Sequence, residues 1–410
     1  MEAKIGFDYG LFDTETFDNT AETEDFDAAL ASENVTALTR LVYDGDVYDD
    51  RIISTPTISR MANGIAGNAD VELDNSDGIW NYLLDTYRYY TNLGRTCRVG
   101  LYFPDIDATL YLYTGTVEGV SFIDTSVILH LQDKMANALD KQIGTGQEPE
   151  LEFCYFTPPE YELAYGRWYT PGQMIWKVLT KYAGLNGDLY TSANPDINWD
   201  SYDAWRTATE GMDYRLQGRF SGQKISGILQ RIADMTNSVF WVDGEGKINF
   251  ALIEPDDAED VAEFDASNSV SMQFDLSKQD ITNTCTVYHG YDVPSNTWGG
   301  VTTKAMSTID PFVGIHEYVD EDKIVWHFDS GSAMAFGNAF IARNEYPRSK
   351  LRLKTSLVGF LRDIGERISV TSTIPPEIWA PRSYWIEEIP SIDMDSLTIE
   401  FLARRGAWGL

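Results

Sequence analysis

The sequence predicts a mainly β protein with α+β insertions, in which two similar small barrels are joined by smaller intervening domains. Three observations carry this. Alternating apolar and polar residues, bounded by Gly, Asp and Asn, fill residues 36–140 and return at 271–300 and 346–405. Residues 141–270 switch to helical spacing. A segment near the end of the first β region reappears near the end of the last one.

The first β region opens with a strand at Ala37–Tyr43, stopped by Asp44-Gly45. The stretch Arg51–Trp80 follows, and the chain is organised around it. Arg51–Ser54 is extended, Pro56 interrupts, and Thr57–Arg60 resumes. A turn rich in Gly and Asn spans 62–68, Val71–Leu73 alternates again, and Asp74–Gly78 closes the stretch. This pattern predicts a β-hairpin with elaborate ends. Residues 79–95 are either a short helix or a loop. Strands follow at Arg98–Phe103 and in a long hairpin from Leu110 to Leu131. Short strands with regular turns make a small closed barrel or a sandwich.

Beyond a linker-like Gly144–Pro149, Thr170-Pro171-Gly172-Gln173 reads as a capping box with Pro in the first helical position. Ile175, Val178, Leu179 and Tyr182 share one face, and Gly184 ends the helix. A second helix, near 223–235, places Ile225, Ile228, Leu229 and Ile232 together. It leads into a hairpin at 239–250 whose turn contains Asp243-Gly244. Further strands are expected at Ile281–Tyr288, Leu351–Lys354 and Ile368–Val370, with a helix from Ser330 to about Arg343 that packs Phe336, Ala339 and Phe340 inward.

This divides the chain into an acidic arm (1–35), a first barrel (36–140), an α+β domain (141–270), a second barrel (271–300 with 346–405), an inserted helical segment (301–345) and a short tail (406–410). The arm carries Phe7, Phe12, Phe17 and Phe26. It is either a partly ordered tail or a segment laid on a neighbouring subunit.

Composition removes several function classes. The 410 residues are 43% hydrophobic, which supports sizeable cores. No apolar run is long enough to span a membrane, and the N-terminus lacks the pattern of a secretory signal. The net charge of −33, from 64 acidic and 31 basic residues, argues against tight nucleic-acid binding, which needs cations to displace phosphate counterions. The acidity serves solubility or a saline environment, or makes a non-stick wall around a DNA passage. Cys97, Cys154 and Cys285 lie far apart, without the spacing of a disulfide framework or a zinc site.

No catalytic constellation is legible. His130, His289, His316 and His327 form no metal motif. No nucleophile elbow appears. The pairs Asp105/Asp107, Glu387/Glu388 and Asp393/Asp395 read as solvated surface. Gly244-Glu245-Gly246-Lys247 lacks the full spacing of a phosphate loop. Trp168/Tyr169 and Trp199/Tyr202/Trp205 are either core and interface or sugar-stacking rings. No catalytic, cofactor or metal residues are expected, and no cofactor.

The repeat pairs Val117–Asp124 with Ile386–Asp393 and, after one inserted residue, Ser126–Leu131 with Ser396–Phe401. Together with Thr55-Pro56, Ile58-Ser59-Arg60 and VELDNSDG at 71–78, this pattern resembles the hub proteins that cap the tail tube of tailed phages and gene transfer agents. The resemblance covers most of 36–405 and rests on loose patterns of strand, turn and helix. It implies two tube-type barrels per chain and a homotrimer that presents six similar barrels to a six-fold tube while offering three-fold symmetry beyond it. It further implies a virion location at the tail tip or baseplate after assembly in the host cytoplasm. The implied partners are a distal tail or tail tube ring, fibre or peptidase subunits, and DNA in transit. The C-terminus, close behind the last strand, leaves digestion and receptor binding to other subunits. The alternatives are a carbohydrate-binding or carbohydrate-degrading virion protein, and a β-rich binding protein of another kind.

Overall fold

The computed structural model describes residues 36–63, 67–84, 94–143, 151–152, 168–186, 194–220, 222–253, 260–275, 281–293, 295–306, 314–344, 348–372 and 381–405. The arm, the tail and Cys154 lie outside them. The fold is mainly β with helical insertions, as the alternation predicts.

The first half supplies β1 (Leu38–Tyr43), β2 (Asp46–Val47), β3 (Ile52–Ser54), β4 (Thr57–Met61), β5 (Ala69–Asp74), β6 (Thr96–Phe103), β7 (Ala108–Ile123) and β8 (Ser126–Asp133). All but β4 form sheet I, in the order β2-β1-β6-β7-β8-β5-β3. A short helix, α1 (Ala136–Leu139), and β9 (Leu151–Glu152) lead into the middle of the chain, with α2 (Pro171–Lys177), α3 (Trp199–Gly211), β10 (Leu216–Phe220), α4 (Ile225–Met235), β11 (Ser238–Val242) and β12 (Ile248–Leu252). The second half contributes β13 (Ala262–Phe264), β14 (Ser269–Asp275), β15 (Thr284–Asp292), β16 (Thr297–Ala305), β17 (Glu317–Asp320), β18 (Val325–His327), α5 (Ser330–Asn344), β19 (Lys350–Thr355), β20 (Arg367–Val370), β21 (Arg382–Asp393) and β22 (Thr398–Arg405). Sheet II runs β13-β20-β21-β22-β19-β14, with β4 also beside β21.

The two sheets repeat one topology. In each, a hairpin (β7–β8, β21–β22) sits between the two strands that precede it (β5 and β6, β19 and β20). A 3-10 turn lies between those strands, at Ile79–Leu84 and at Leu357–Leu361. β3 flanks β5 as β14 flanks β19. The ladder shifts register between Val117 and Gly119 in one hairpin and between Ile386 and Glu388 in the other, at matching places of the repeat. The turns differ: Ile123 faces Ser126, whereas Asp393 faces Thr398. In the repeat, Leu129 and Leu131 match Ile399 and Phe401, all four buried, whereas the match of buried Val127 is Leu397, which the longer turn takes up at a φ of 50°. One neighbour breaks the likeness, since β1 is antiparallel to β6 while β13 is parallel to β20.

A single buried cluster runs through both sheets, joining Val71, Leu101 and Leu129 to Leu353, Ile389 and Phe401. A second core gathers α2, α3 and α4 on the β11–β12 hairpin. In α2 the capping box forms as predicted, Thr170 Oγ1 accepting from Gln173 N at 3.2 Å. The helix widens to π form over Val178–Ala183 and stops at Gly184, whose φ of 78° suits a residue without Cβ.

Three expectations need correction. Thr57–Met61 and Ala69–Asp74 do not make a hairpin. Pro56 has no amide to donate to a ladder, and beyond it β4 leaves sheet I to pair with β21 of sheet II. Ile281–Tyr288 is a strand, but β15 joins β16, β17 and β18 in a third sheet with β10 and β9. Among the described residues of 271–300, only the end of β14 belongs to sheet II, which instead takes β13 from the region assigned to the α+β domain. The segment 301–345 holds the end of β16 and strands β17 and β18 as well as α5, whose inner face covers β15 and β16 through Phe336.

Candidate functional site

The place where the chain's units meet is built on β4. Ile58 and Arg60 point to the same side of the strand and both are buried. An arginine at an inward position is the signal in the sequence, and its parity with Ile58 was readable there. The guanidinium spans the two sheets. Nη2 donates to the carbonyl of Leu112 on β7 at 2.8 Å, and Nη1 lies 3.2 Å from Asp363 in the loop before β20. Two residues past the strand, Asn63 exchanges two hydrogen bonds with Phe240 of β11, N to O at 2.6 Å and Oδ1 from N at 3.0 Å. Thus β4 ties sheet I, sheet II and the helical unit together.

The β11–β12 turn lies against the same joint. Gly244 lets its backbone come so close to β7 that an added Cβ would stand 2.1 Å from the Tyr111 carbonyl. Thr114 Oγ1 donates to Gly244 O at 2.7 Å. Asp243 holds the turn by accepting from the amides of Glu245 and Lys247 and from Asn249 Nδ2, at 2.9, 2.9 and 2.7 Å. Burial pushes the Asp243 carboxyl up to about 6, and the nearby Glu245 adds to the rise. The glycines of Gly244-Glu245-Gly246-Lys247 therefore serve close packing.

Beside the joint lies a cavity of about 550 Å³ lined by Asn63, Asp234, Tyr318, Arg343, Trp385 and Glu387, among others. Burial raises the Asp234 carboxyl, against the lowering effect of the Gln230 amide bonded to it. Glu387 is held by Arg343 at 3.2 Å and Arg404 at 3.1 Å. The Arg343 contact ties α5 to sheet II, and the Arg404 contact lies within sheet II. Nothing in the lining pairs a nucleophile with a base.

The remaining residues flagged in the sequence have structural surroundings. Tyr202 and Trp205 are buried on α3, and the Trp205 indole donates to Ser238 Oγ at 2.7 Å, so these rings are core. Trp168 is 40% exposed, with the Arg215 guanidinium over its ring. Asp107 accepts from Tyr102, and Asp393 accepts from two turn amides. Cys97 and Cys285 are buried, and burial pushes both thiols up to about 12. His289 and His327 face each other across β15 and β18, and burial pushes His327 down to about 3. No group of metal-ligating side chains occurs among the described residues.

One arrangement escapes sequence reading because it crosses strands. His130 on β8 stands between Asp70 on β5 and Ser121 on β7, with Nδ1 and Nε2 each 2.8 Å from its partner. The connectivity is that of a Ser-His-Asp triad, but the site is an open sheet face with Asp70 largely exposed. Such a face supplies no enclosed place to orient a substrate or stabilise an oxyanion. The group reads as a cross-strand polar ladder.

A tail protein from Neisseria meningitidis superposes with a TM-score of 0.53 at 12% identity, over 90% of this chain and 96% of that one. The fold is shared with a tail protein. A 43 kDa prophage tail protein from Shewanella oneidensis (TM-score 0.49, 14% identity, 90% and 98% covered) and a prophage tail protein from Listeria monocytogenes (TM-score 0.49, 10% identity, 89% and 94% covered) also match. No family model matches the chain, and no curated sequence matches it significantly.

Proposed function

We propose that this chain is a structural virion protein of a phage-type tail, and that three copies form a hub ring closing the distal end of the tail tube. The observation that carries this reading is the duplicated sheet: two units of one topology in a single chain, locked together by β4. Three such chains place six similar units about an axis. A ring of that kind meets a six-fold tube on one side and a three-fold tip on the other. The shared fold with a tail protein supports the same reading. On it, the partners are further copies of the chain, a distal tail or tail tube ring, and fibre or tip subunits. DNA passes through without tight binding, in keeping with the charge of −33. The joint at Arg60 then serves to keep the paired units rigid rather than to perform chemistry.

Light scattering on the purified chain tests the proposal. A mass near three times 46.2 kDa, with six-fold pseudo-symmetry in projection images, is the expected result. A monomer at all salt concentrations that also fails to bind tail tube rings would sink it.

A further inference from the structure

The cavity beside the joint holds more negative charge than its own cations neutralise. Among the described residues its lining carries three carboxylates, Asp234, Glu387 and Glu388, and one guanidinium, Arg343. Arg343 and Arg404 both bind Glu387. Arg231, the other cation near Asp234, is taken by Asp320, Asp322 and the Val325 carbonyl. Asp234 therefore keeps the Gln230 amide, at 2.6 Å, and neither it nor Glu388 forms an ion pair. The segments that continue the lining, 64–66, 254–259 and 345–347, contain no lysine, arginine or histidine, so the adjoining sequence supplies no further cation. Asp234 is exposed, yet the surrounding protein is close enough to raise its carboxyl.

The rest of the wall suits the stem of an organic cation. Tyr318 and Phe340 stack with ring centroids 4.5 Å apart, and Trp385 stands in the same lining. Aromatic faces attract ammonium groups, and the methylenes of a charged chain pack against apolar surface. A volume of about 550 Å³ lies in the range of small-molecule sites. A metal ion is a poorer fit, because no three ligating side chains converge among the described residues. The two carboxylates without a cation also belong to different units, Asp234 to α4 and Glu388 to β21.

We propose that this cavity binds a linear organic polycation, a di- or triamine, with one ammonium on Asp234, another on Glu388 and the intervening methylenes against the aromatic rings. One ligand of this class answers both the unneutralised charge and the apolar wall. Bound there, it ties the helical unit to sheet II beside the Arg60 joint. The site lies within one chain and stands apart from the ring reading.

Titration calorimetry of the full chain with spermidine, at physiological ionic strength, tests the site. A chain of charge −33 also gathers polyamines diffusely, so the variants decide. One saturable site per chain is expected, weakened about tenfold or more in Asp234→Asn and in Glu388→Gln, both folded by circular dichroism. Asp50→Asn, which removes a carboxylate 83% exposed elsewhere on the surface, is expected to change nothing. Magnesium at equal charge is expected not to displace the spermidine. Unchanged binding in either cavity variant, equal weakening by all three substitutions, no saturable site, or displacement by magnesium overturns the proposal. Should a cavity variant fail to fold, hydrogen exchange on the unaltered chain decides. Spermidine, and not magnesium, is expected to slow the amides of α4 and of β21 around Glu388, and exchange that spermidine leaves unslowed there sinks the site.

Discussion

Arg60 and Asp363 meet across the joint between the two sheets, Nη1 to Oδ1 at 3.2 Å, with the arginine side chain 7% exposed and the carboxylate 25%. The second arm of the guanidinium holds the Leu112 carbonyl. One side chain therefore fixes the relative placement of β4, β7 and the loop before β20. Arg60→Ala leaves a half-buried carboxylate and a carbonyl without their partner. We expect a loss of about 2–4 kcal/mol in urea unfolding. A loss below about 0.5 kcal/mol, the range of ordinary surface substitutions, would show that the joint does not depend on this residue.

Gly244→Ala is expected to separate the β11–β12 turn from sheet I. The new Cβ would meet the Tyr111 carbonyl, a backbone atom that cannot swing aside. A cost of about 1–3 kcal/mol is expected from such overpacking, with Trp241 fluorescence shifted as the hairpin lifts. Gly45, which has nothing within 4 Å of an added Cβ but a φ of +92°, is a control for backbone strain alone.

Asp243 makes stability depend on pH. Its folded-state value, near 6, lies above the ordinary 3.8. Between those values the folded state binds more protons than the unfolded state, so this contribution to stability is present below about pH 4 and is lost as pH rises through 6. The stability of the native chain relative to Asp243→Asn should fall by about 2–3 kcal/mol from pH 4 to pH 7. Urea titrations of both proteins at each pH give the difference. A flat difference would mean that the carboxyl is ionised throughout.

His327 has the opposite slope. Burial holds it neutral, with Nδ1 at 2.8 Å from Ser332 Oγ, and its value drops from 6.5 to about 3. Its contribution is complete above pH 6.5 and fades as pH falls toward 3, because only the unfolded state gains the proton. His327→Gln should abolish that part of the acid sensitivity. An unchanged acid limb in thermal melts would refute the assignment.

Cys97 and Cys285 should stay unmodified by iodoacetamide in the native protein and react once it is unfolded. Both are buried, and the reactive thiolate is suppressed by desolvation. Native alkylation of Cys97, read by mass spectrometry of peptides, would show that sheet I opens readily.

Local order was legible in the sequence because it depends on near neighbours. Alternation in Val127–Leu131, the capping box at Thr170, the apolar face of Ile225–Ile232 and the turn at Asp243 each involve residues a few positions apart, and each formed. The repeat was legible too, since Val117–Asp124 and Ile386–Asp393 keep the same phase and the same place for the register shift. What a strand pairs with is decided at long range. Alternation says which face of Thr57–Met61 is buried but not whose edge it joins, and it joins β21 rather than β5. For the same reason Thr284–Asp292 satisfied its strand pattern in a third sheet. Arg60 is buried where its parity with Ile58 places it. Only the tertiary structure supplied the Asp363 carboxylate and the Leu112 carbonyl that make a buried cation tolerable there. The strands and their inward faces follow from local chemistry, whereas the joint follows from which donors and acceptors found each other across the chain.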